Sequence, residues 1–128
     1  MSYYIGKVVD MEFNQAVDAI TATLKDQGFG IITDIDMSAT LKNKIDKDIP
    51  SYRILGACNP GYAYEAVTNE PQIGVMLPCS AAVRQLENNQ VEIAVIDPIA
   101  SMMAVENDKL HGFATEVKEK LSAAVDNL

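Results

Sequence analysis

Histidine and cysteine are scarce in this chain, which has one His and two Cys among 128 residues. A structural zinc site needs four Cys or His ligands, usually in close pairs. Here Cys58 and Cys79 are 21 positions apart. We therefore expect no metal site, no cofactor and no disulfide framework, and we take both cysteines as free thiols.

Basic residues are also in the minority, with 10 Lys and Arg against 18 Asp and Glu and a net charge of -8. This charge repels phosphate backbones and anionic lipid, so neither nucleic acid nor a membrane is an expected partner. Long apolar runs are missing as well. Residues 71–83 are nearly uncharged but are shorter than the ~20 residues of a membrane span and are interrupted by Pro78. The start of the chain does not resemble a signal peptide, and we expect a soluble, cytoplasmic protein.

What is present is an ordinary globular composition, with 48% hydrophobic residues. A chain of this length buries about two thirds of its unfolded surface, which is enough for one core. We find no repeat, linker or low-complexity tract. The sequence therefore predicts a single domain over residues 1–128.

Two stretches show apolar residues at helical spacing, one from Phe13 to Leu24 and one from Leu110 to Ala124. Gly28 supplies a stop for the first helix. A shorter helix carries Leu41 and Ile45. Strands are predicted at residues 3–9, 30–36, 51–57, 73–77, 80–86 and 91–96, the last two as an antiparallel hairpin. The predicted fold class is α+β, with two layers, a mixed or largely antiparallel sheet and both long helices packed on one face.

Two strand ends share the pattern of an Asx residue followed by proline: Cys58-Asn59-Pro60 and Asp97-Pro98. Asx accepts hydrogen bonds from the first N–H groups of a helix, and proline is favoured at the first helical position. Because a helix start favours a thiolate, Cys58 is predicted to be the more acidic thiol. The candidate ligand-binding residues are Cys58, Asn59, Pro60, Pro78, Cys79, Asp97 and Pro98.

Each of these features also has a structural interpretation. Cysteine is often buried as a small apolar residue, and Asx-Pro is simply a good helix start. Met76, Met102 and Met103 are potential soft-metal or haem ligands, but methionine more commonly fills a core. Tyr62 and Tyr64 cannot share a helix face, so at most one lines any pocket.

Three segments taken together resemble the domain-of-unknown-function 302 family. They are residues 52–63 with Cys58-Asn59-Pro60, residues 70–79 ending in Pro78-Cys79, and Asp97-Pro98 with a following Met. The resemblance covers nearly the whole chain. It implies a two-layer α+β domain, dimeric and found in bacteria and archaea, and it implies no established activity. Ser80, Ala81 and Ala82 are less bulky than this pattern leads us to expect.

Three functions remain open, and no catalytic residue is assigned. The leading hypothesis is a module in which the candidate residues form a pocket for a small anion, a soft metal or a thiol-reactive ligand. The second is a thiol redox or sulfur-transfer enzyme with Cys58 as nucleophile and Cys79 as resolving partner. The third is a structural dimer scaffold in which both cysteines only pack.

Two further expectations concern geometry. If Ile5, Val9, Ile93 and Val95 face the helices, then alternation turns Tyr4, Val8, Ala94 and Ile96 outward. So apolar an outer face predicts a homodimer through the sheet. Cys58 and Cys79 are each next to a proline-marked turn, and we expect them to lie close together as reduced thiols.

Overall fold

Strands with alternating apolar residues form one five-stranded sheet in this computed structural model, which describes residues 2–128. The strands are β1 (Tyr4–Val9), β2 (Gly30–Asp36), β3 (Tyr52–Cys58), β4 (Cys79–Gln85) and β5 (Val91–Ile96). Their order in the sheet is β1-β5-β4-β3-β2, and each neighbouring pair is antiparallel. The hairpin predicted at residues 80–96 is confirmed.

Helices make up the second layer. They are α1 (Phe13–Asp26), α2 (Met37–Ile45), α3 (Pro60–Asn69), α4 (Pro98–Ser101) and α5 (Asp108–Asp126), with 3-10 turns at Pro71–Met76 and Glu87–Asn89. None of the helices in residues 2–128 is both long and apolar enough to cross a membrane. The predicted two-layer α+β class is confirmed.

The core lies between the sheet and the long helices α1 and α5. Ile20 and Leu24 of α1 and Leu121 of α5 are fully buried, in one cluster with Ile93 and Val95 of the sheet. Leu110 and Ala114, in the first half of α5, are buried outside that cluster. The two apolar stripes therefore pack on the same face, and the N-terminal part of α5 extends past the main core.

Alternation along the strands places side chains as predicted. Val9 is buried, whereas Tyr4 and Val8 are 43% and 47% exposed on the outer face. Arg84 and Glu92, paired across β4 and β5, form an ion pair of 2.6 Å. The outer face is thus apolar apart from a few polar groups, of which this ion pair is one.

One predicted strand is wrong. Residues 73–77 lie mostly within the 3-10 helix Pro71–Met76, where Ile73 N donates to Glu70 O at 2.9 Å. A short apolar run does not reveal its own period, and Pro71 at the first helical position favours a helical turn. The strand containing Cys79 begins directly after Pro78, so Pro78 precedes a strand instead of ending one.

Gly28 ends α1 as predicted, with φ of +87°. Gly28 N donates to Lys25 O and Phe29 N to Leu24 O, both at 2.9 Å, which is the Schellman arrangement. This turn directs the chain into β2 and leaves Phe29 buried.

Candidate functional site

An apolar cavity of about 260 Å³ lies where β3 ends and β4 begins. Its wall comes from Phe29 after α1, from the ends of both strands, and from α3, α4 and α5. No charged side chain among the described residues borders it. The cavity is therefore suited to an uncharged, largely apolar occupant.

Five of the seven predicted site residues border this cavity: Cys58, Asn59, Pro78, Cys79 and Pro98. Pro60 and Asp97 do not. Pro60 is the exposed first residue of α3, and Asp97 is the N-cap of α4. Each Asx-Pro junction therefore contributes one residue to the cavity wall, Asn59 from the first and Pro98 from the second.

Adjacent strands place Cys58 and Cys79 near each other along the backbone, although alternation turns their side chains to opposite faces of the sheet. Ala57 of β3 pairs with Cys79 of β4, so Cys58 is one residue beyond that pair. This register puts the two α-carbons about 6 Å apart, given the spacing of antiparallel strands. Both cysteines are free thiols, half-buried and in the cavity wall.

The Cys79 thiol is held in its neutral form. Burial, and to a lesser degree the neighbouring Cys58, raises the pKa of Cys79 from 9.0 to about 11. A neutral thiol is a poor nucleophile at physiological pH. Cys79 therefore contributes a polarizable, uncharged surface to the cavity.

Asn59 caps α3 with its side-chain oxygen, since Oδ1 accepts from Tyr62 N at 3.2 Å. Its Nδ2 points toward Gly28, where an added β-carbon would lie 2.9 Å from it. Asn59 therefore lies against the α1–β2 turn and also caps the start of α3. The two elements it joins both contribute to the cavity wall through Phe29 and Tyr62.

Tyr62 connects α3 to α5 at the cavity wall. Its hydroxyl donates to Glu116 Oε2 at 2.8 Å, and its ring meets Phe113 edge-on at a centroid distance of 6.2 Å. The hydrogen bond to Glu116 raises the pKa of Tyr62, with further contributions from burial and nearby carboxylates. Tyr64 is 70% exposed, in accord with the expectation that only one of the two tyrosines lines a pocket.

Asp97 is a buried carboxylate that braces α4 against α5. Its Oδ1 accepts from Ile99 N at 2.9 Å, and its Oδ2 pairs with Lys118 Nζ at 2.9 Å. Burial alone raises the pKa of Asp97, but the bonds from Lys118, Ile99 and Ala100 outweigh it and leave the pKa below 3.8. The charge is thus compensated within the protein, next to Pro98 in the cavity wall.

Sequence reasoning did not assign Phe29, Leu77, Met102 and Phe113 to the site, although all four border the cavity. The sequence pattern indicates only a helical stripe for Phe113, and it favours a core position over a ligand role for Met102. Two of them carry a local signal, since Phe29 directly follows the Gly28 helix stop and Leu77 directly precedes Pro78. Met102 and Phe113 reach the cavity through tertiary packing.

Residues 2–128 contain no cluster of three or more His, Cys, Asp or Glu side chains arranged to hold a metal ion. The sequence-based argument against a structural zinc site concerns Cys and His ligands.

Comparison with known proteins identifies the fold and a family but no activity. The family model described as "Domain of unknown function DUF302" matches residues 5–128. A crystal structure of an uncharacterized conserved DUF302 protein from Bacillus stearothermophilus is similar over 99% of this chain and 98% of that one. It has a TM-score of 0.90 and 24% identity. No curated protein matches the chain.

Proposed function

Because the chain belongs to the DUF302 family, whose name records no activity, we propose a function from the cavity itself. The protein is a binding module for a small, uncharged and largely apolar molecule, held between the Cys58 and Cys79 strand ends and helices α3 and α5. The observation that carries this proposal is the apolar cavity of about 260 Å³ bordered by five of the predicted site residues.

The size and lining of the cavity favour one kind of ligand. Sites for drug-sized molecules run from about 300 to 1,000 Å³, and this cavity is slightly smaller. A single aromatic ring system or a short aliphatic chain matches it. Asn59, Tyr62 and the two thiols are the polar side chains in the wall, so they would orient such a ligand.

Anion binding at this site has less support from the structure than from the sequence. The carboxylate of Asp97 already accepts the first N–H groups of α4, and Asn59 Oδ1 accepts from Tyr62 N at the start of α3. A helix start can hold an anion through its free N–H groups, but at α3 and α4 the protein's own acceptors take these groups.

Thiol redox catalysis is also less well supported. A resolving cysteine has to ionise readily, whereas burial raises the pKa of Cys79 to about 11. We place the protein in the cytoplasm, where both thiols stay reduced and the cavity keeps its apolar wall.

Indole binding tests the proposal directly. The chain has no Trp, so indole emission can be followed without a tryptophan background. We expect saturable binding of one indole per chain with a blue shift of its emission. Ala63→Leu, on the α3 wall, fills the cavity and should weaken binding about tenfold or more, equivalent to at least about 1.4 kcal/mol.

Ala39→Leu is the matched control, because Ala39 is an exposed helical alanine outside the cavity. It should leave indole affinity unchanged. Ala66→Leu supplies a second filling variant on the same helix, should Ala63→Leu fail to fold. Equal indole affinity in the filled variants and the control would overturn the proposal.

A further inference from the structure

Helix α3 turns one face toward the rest of the protein, and that face lies over the cavity. Tyr62, Ala63 and Ala66 border the cavity and are half-buried. On the other side of the helix, Tyr64 and Val67 are 70% and 46% exposed. None of the 10 residues of α3 is buried. The helix therefore covers the cavity without a buried anchor of its own.

The packing of α3 differs from that of α5, although both helices border the cavity. Val117 and Leu121 of α5 are buried and belong to the main core cluster. In α3, Tyr62 alone packs against that cluster. Local opening costs least where few apolar side chains are buried. Of these two helices, α3 is therefore the one that opens at the lower free energy.

Two sets of polar contacts hold α3 against α5. Near the start of α3, the Tyr62 hydroxyl donates to Glu116 Oε2 at 2.8 Å. At its end, Asn107 Nδ2 donates to Asn69 O at 3.2 Å and to Glu70 Oε1 at 3.3 Å. The Tyr62–Glu116 bond is exposed, so water can replace either partner when it breaks. Its net cost of breaking is therefore modest.

We propose that α3 is a lid, which moves away from α5 to admit a ligand to the cavity and then returns to cover it. The Tyr62–Glu116 hydrogen bond holds this lid closed. In the closed state Tyr62, Ala63 and Ala66 lie against the ligand. The inference rests on the proposed function, because it concerns entry to the same cavity.

Hydrogen exchange of the ligand-free, full-length protein tests the opening itself. Backbone amides of α3 should exchange faster than those of α1, whose Ile20 and Leu24 are fully buried. Tyr62→Phe should speed exchange in α3 about fivefold, the effect of losing one hydrogen bond. Tyr64→Phe is the matched control on the exposed side of the same helix and should change nothing.

Glu116→Ala removes the same hydrogen bond from the α5 side. It should speed exchange in α3 as much as Tyr62→Phe does. The double variant should exchange no faster than either single variant, because both substitutions remove one shared interaction. Additive effects of the two substitutions would show that the bond does not hold the lid.

Exchange of 5-fluoroindole between free and bound states, followed by ¹⁹F NMR, tests whether this opening admits a ligand. Association and dissociation should both be about fivefold faster in Tyr62→Phe, with an unchanged dissociation constant, because the ligand passes through the open state in both directions. Tyr64→Phe should keep the native rates. Faster dissociation alone would show that the Tyr62 hydroxyl contacts the ligand, and it would overturn the role of this bond in closing the lid.

The lid and the proposed function fail separately. Exchange in α3 as slow as in α1 would overturn the lid, whether or not a ligand binds. Unchanged 5-fluoroindole rates in Tyr62→Phe, with binding kept, would also overturn the lid and leave the proposed function standing. Absence of 5-fluoroindole binding by the native protein would overturn the proposed function and, with it, the entry role of α3.

Discussion

Gly28 and Asn59 are in contact across the two turns that lead into the cavity wall. A β-carbon at Gly28 would lie 2.9 Å from Asn59 Nδ2, closer than side chains pack. Gly28 also has φ of +87°, which L-residues rarely adopt. One glycine therefore ends α1 and leaves space for the residue that begins α3.

Gly28→Ala should destabilise the fold for both reasons. A left-handed conformation costs an L-residue about 1–2 kcal/mol, and displacement of Asn59 adds to this. Urea denaturation measures the free energy of unfolding. Gly112→Ala is the control, since Gly112 lies exposed in α5 with nothing within 4 Å of an added β-carbon. It should stabilise the protein by about 0.5–1 kcal/mol. A Gly28→Ala protein as stable as Gly112→Ala would contradict this assignment.

Asp97→Asn should reveal an acid-dependent contribution to stability. Asn keeps an acceptor for the α4 N–H groups but loses the charge that pairs with Lys118. Because the folded-state pKa of Asp97 is lowered, its contribution is present at neutral pH and is lost as the pH falls through that pKa. We expect the variant to be about 1–2 kcal/mol less stable at pH 6 and the difference to shrink at pH 3. A difference that does not change with pH would count against the ion pair.

Cys79 should react slowly with alkylating reagents. In the Cys58→Ser protein, iodoacetamide should modify native Cys79 about tenfold or more slower at pH 7 than in urea. Its pKa near 11 reduces the thiolate fraction, and the higher intrinsic nucleophilicity offsets only part of this. Mass spectrometry follows the reaction. Equal native and unfolded rates would show that Cys79 is not protected. Faster reaction of Cys58 in Cys79→Ser would agree with the helix-start argument made from the sequence.

The outer face of the sheet should form a homodimer, as its apolar alternation predicts. Sedimentation velocity at tens of micromolar should show a dimer for the native chain and a monomer for Val8→Lys. Val67→Lys is a matched control, because Val67 on α3 is 46% exposed and Val8 is 47% exposed. A monomeric native protein would refute the interface, and loss of the dimer in both variants would place it elsewhere.

Local interactions account for the parts of the fold that the sequence predicts well. The Gly28 stop and the Asn59 and Asp97 caps are each satisfied by residues within a few positions along the chain. The apolar stripe of α1 repeats over several helical turns, so the sequence predicts this helix as well as it predicts the caps. The strand prediction for residues 73–77 is wrong because an apolar run this short has no distinguishable helical or strand period.

Tertiary contacts account for what sequence reasoning missed. Asp97 is identifiable as a cap, but its pairing with Lys118 depends on how α5 returns to the sheet. Phe113 and Met102 belong to segments that sequence patterns assign to packing, and only the fold brings them to the cavity wall. The size and apolar character of the cavity follow from these distant contacts.

Indole titration monitored by NMR of alanine methyl groups tests the binding account most directly. Ala57, Ala63, Ala66 and Ala114 border the cavity, while Ala16, Ala81 and Ala124 are buried elsewhere in the core. The account predicts that the first four methyl signals shift together, with one dissociation constant, and that the other three stay in place. Shifts confined to the second group, or no shifts at saturating indole, would contradict it.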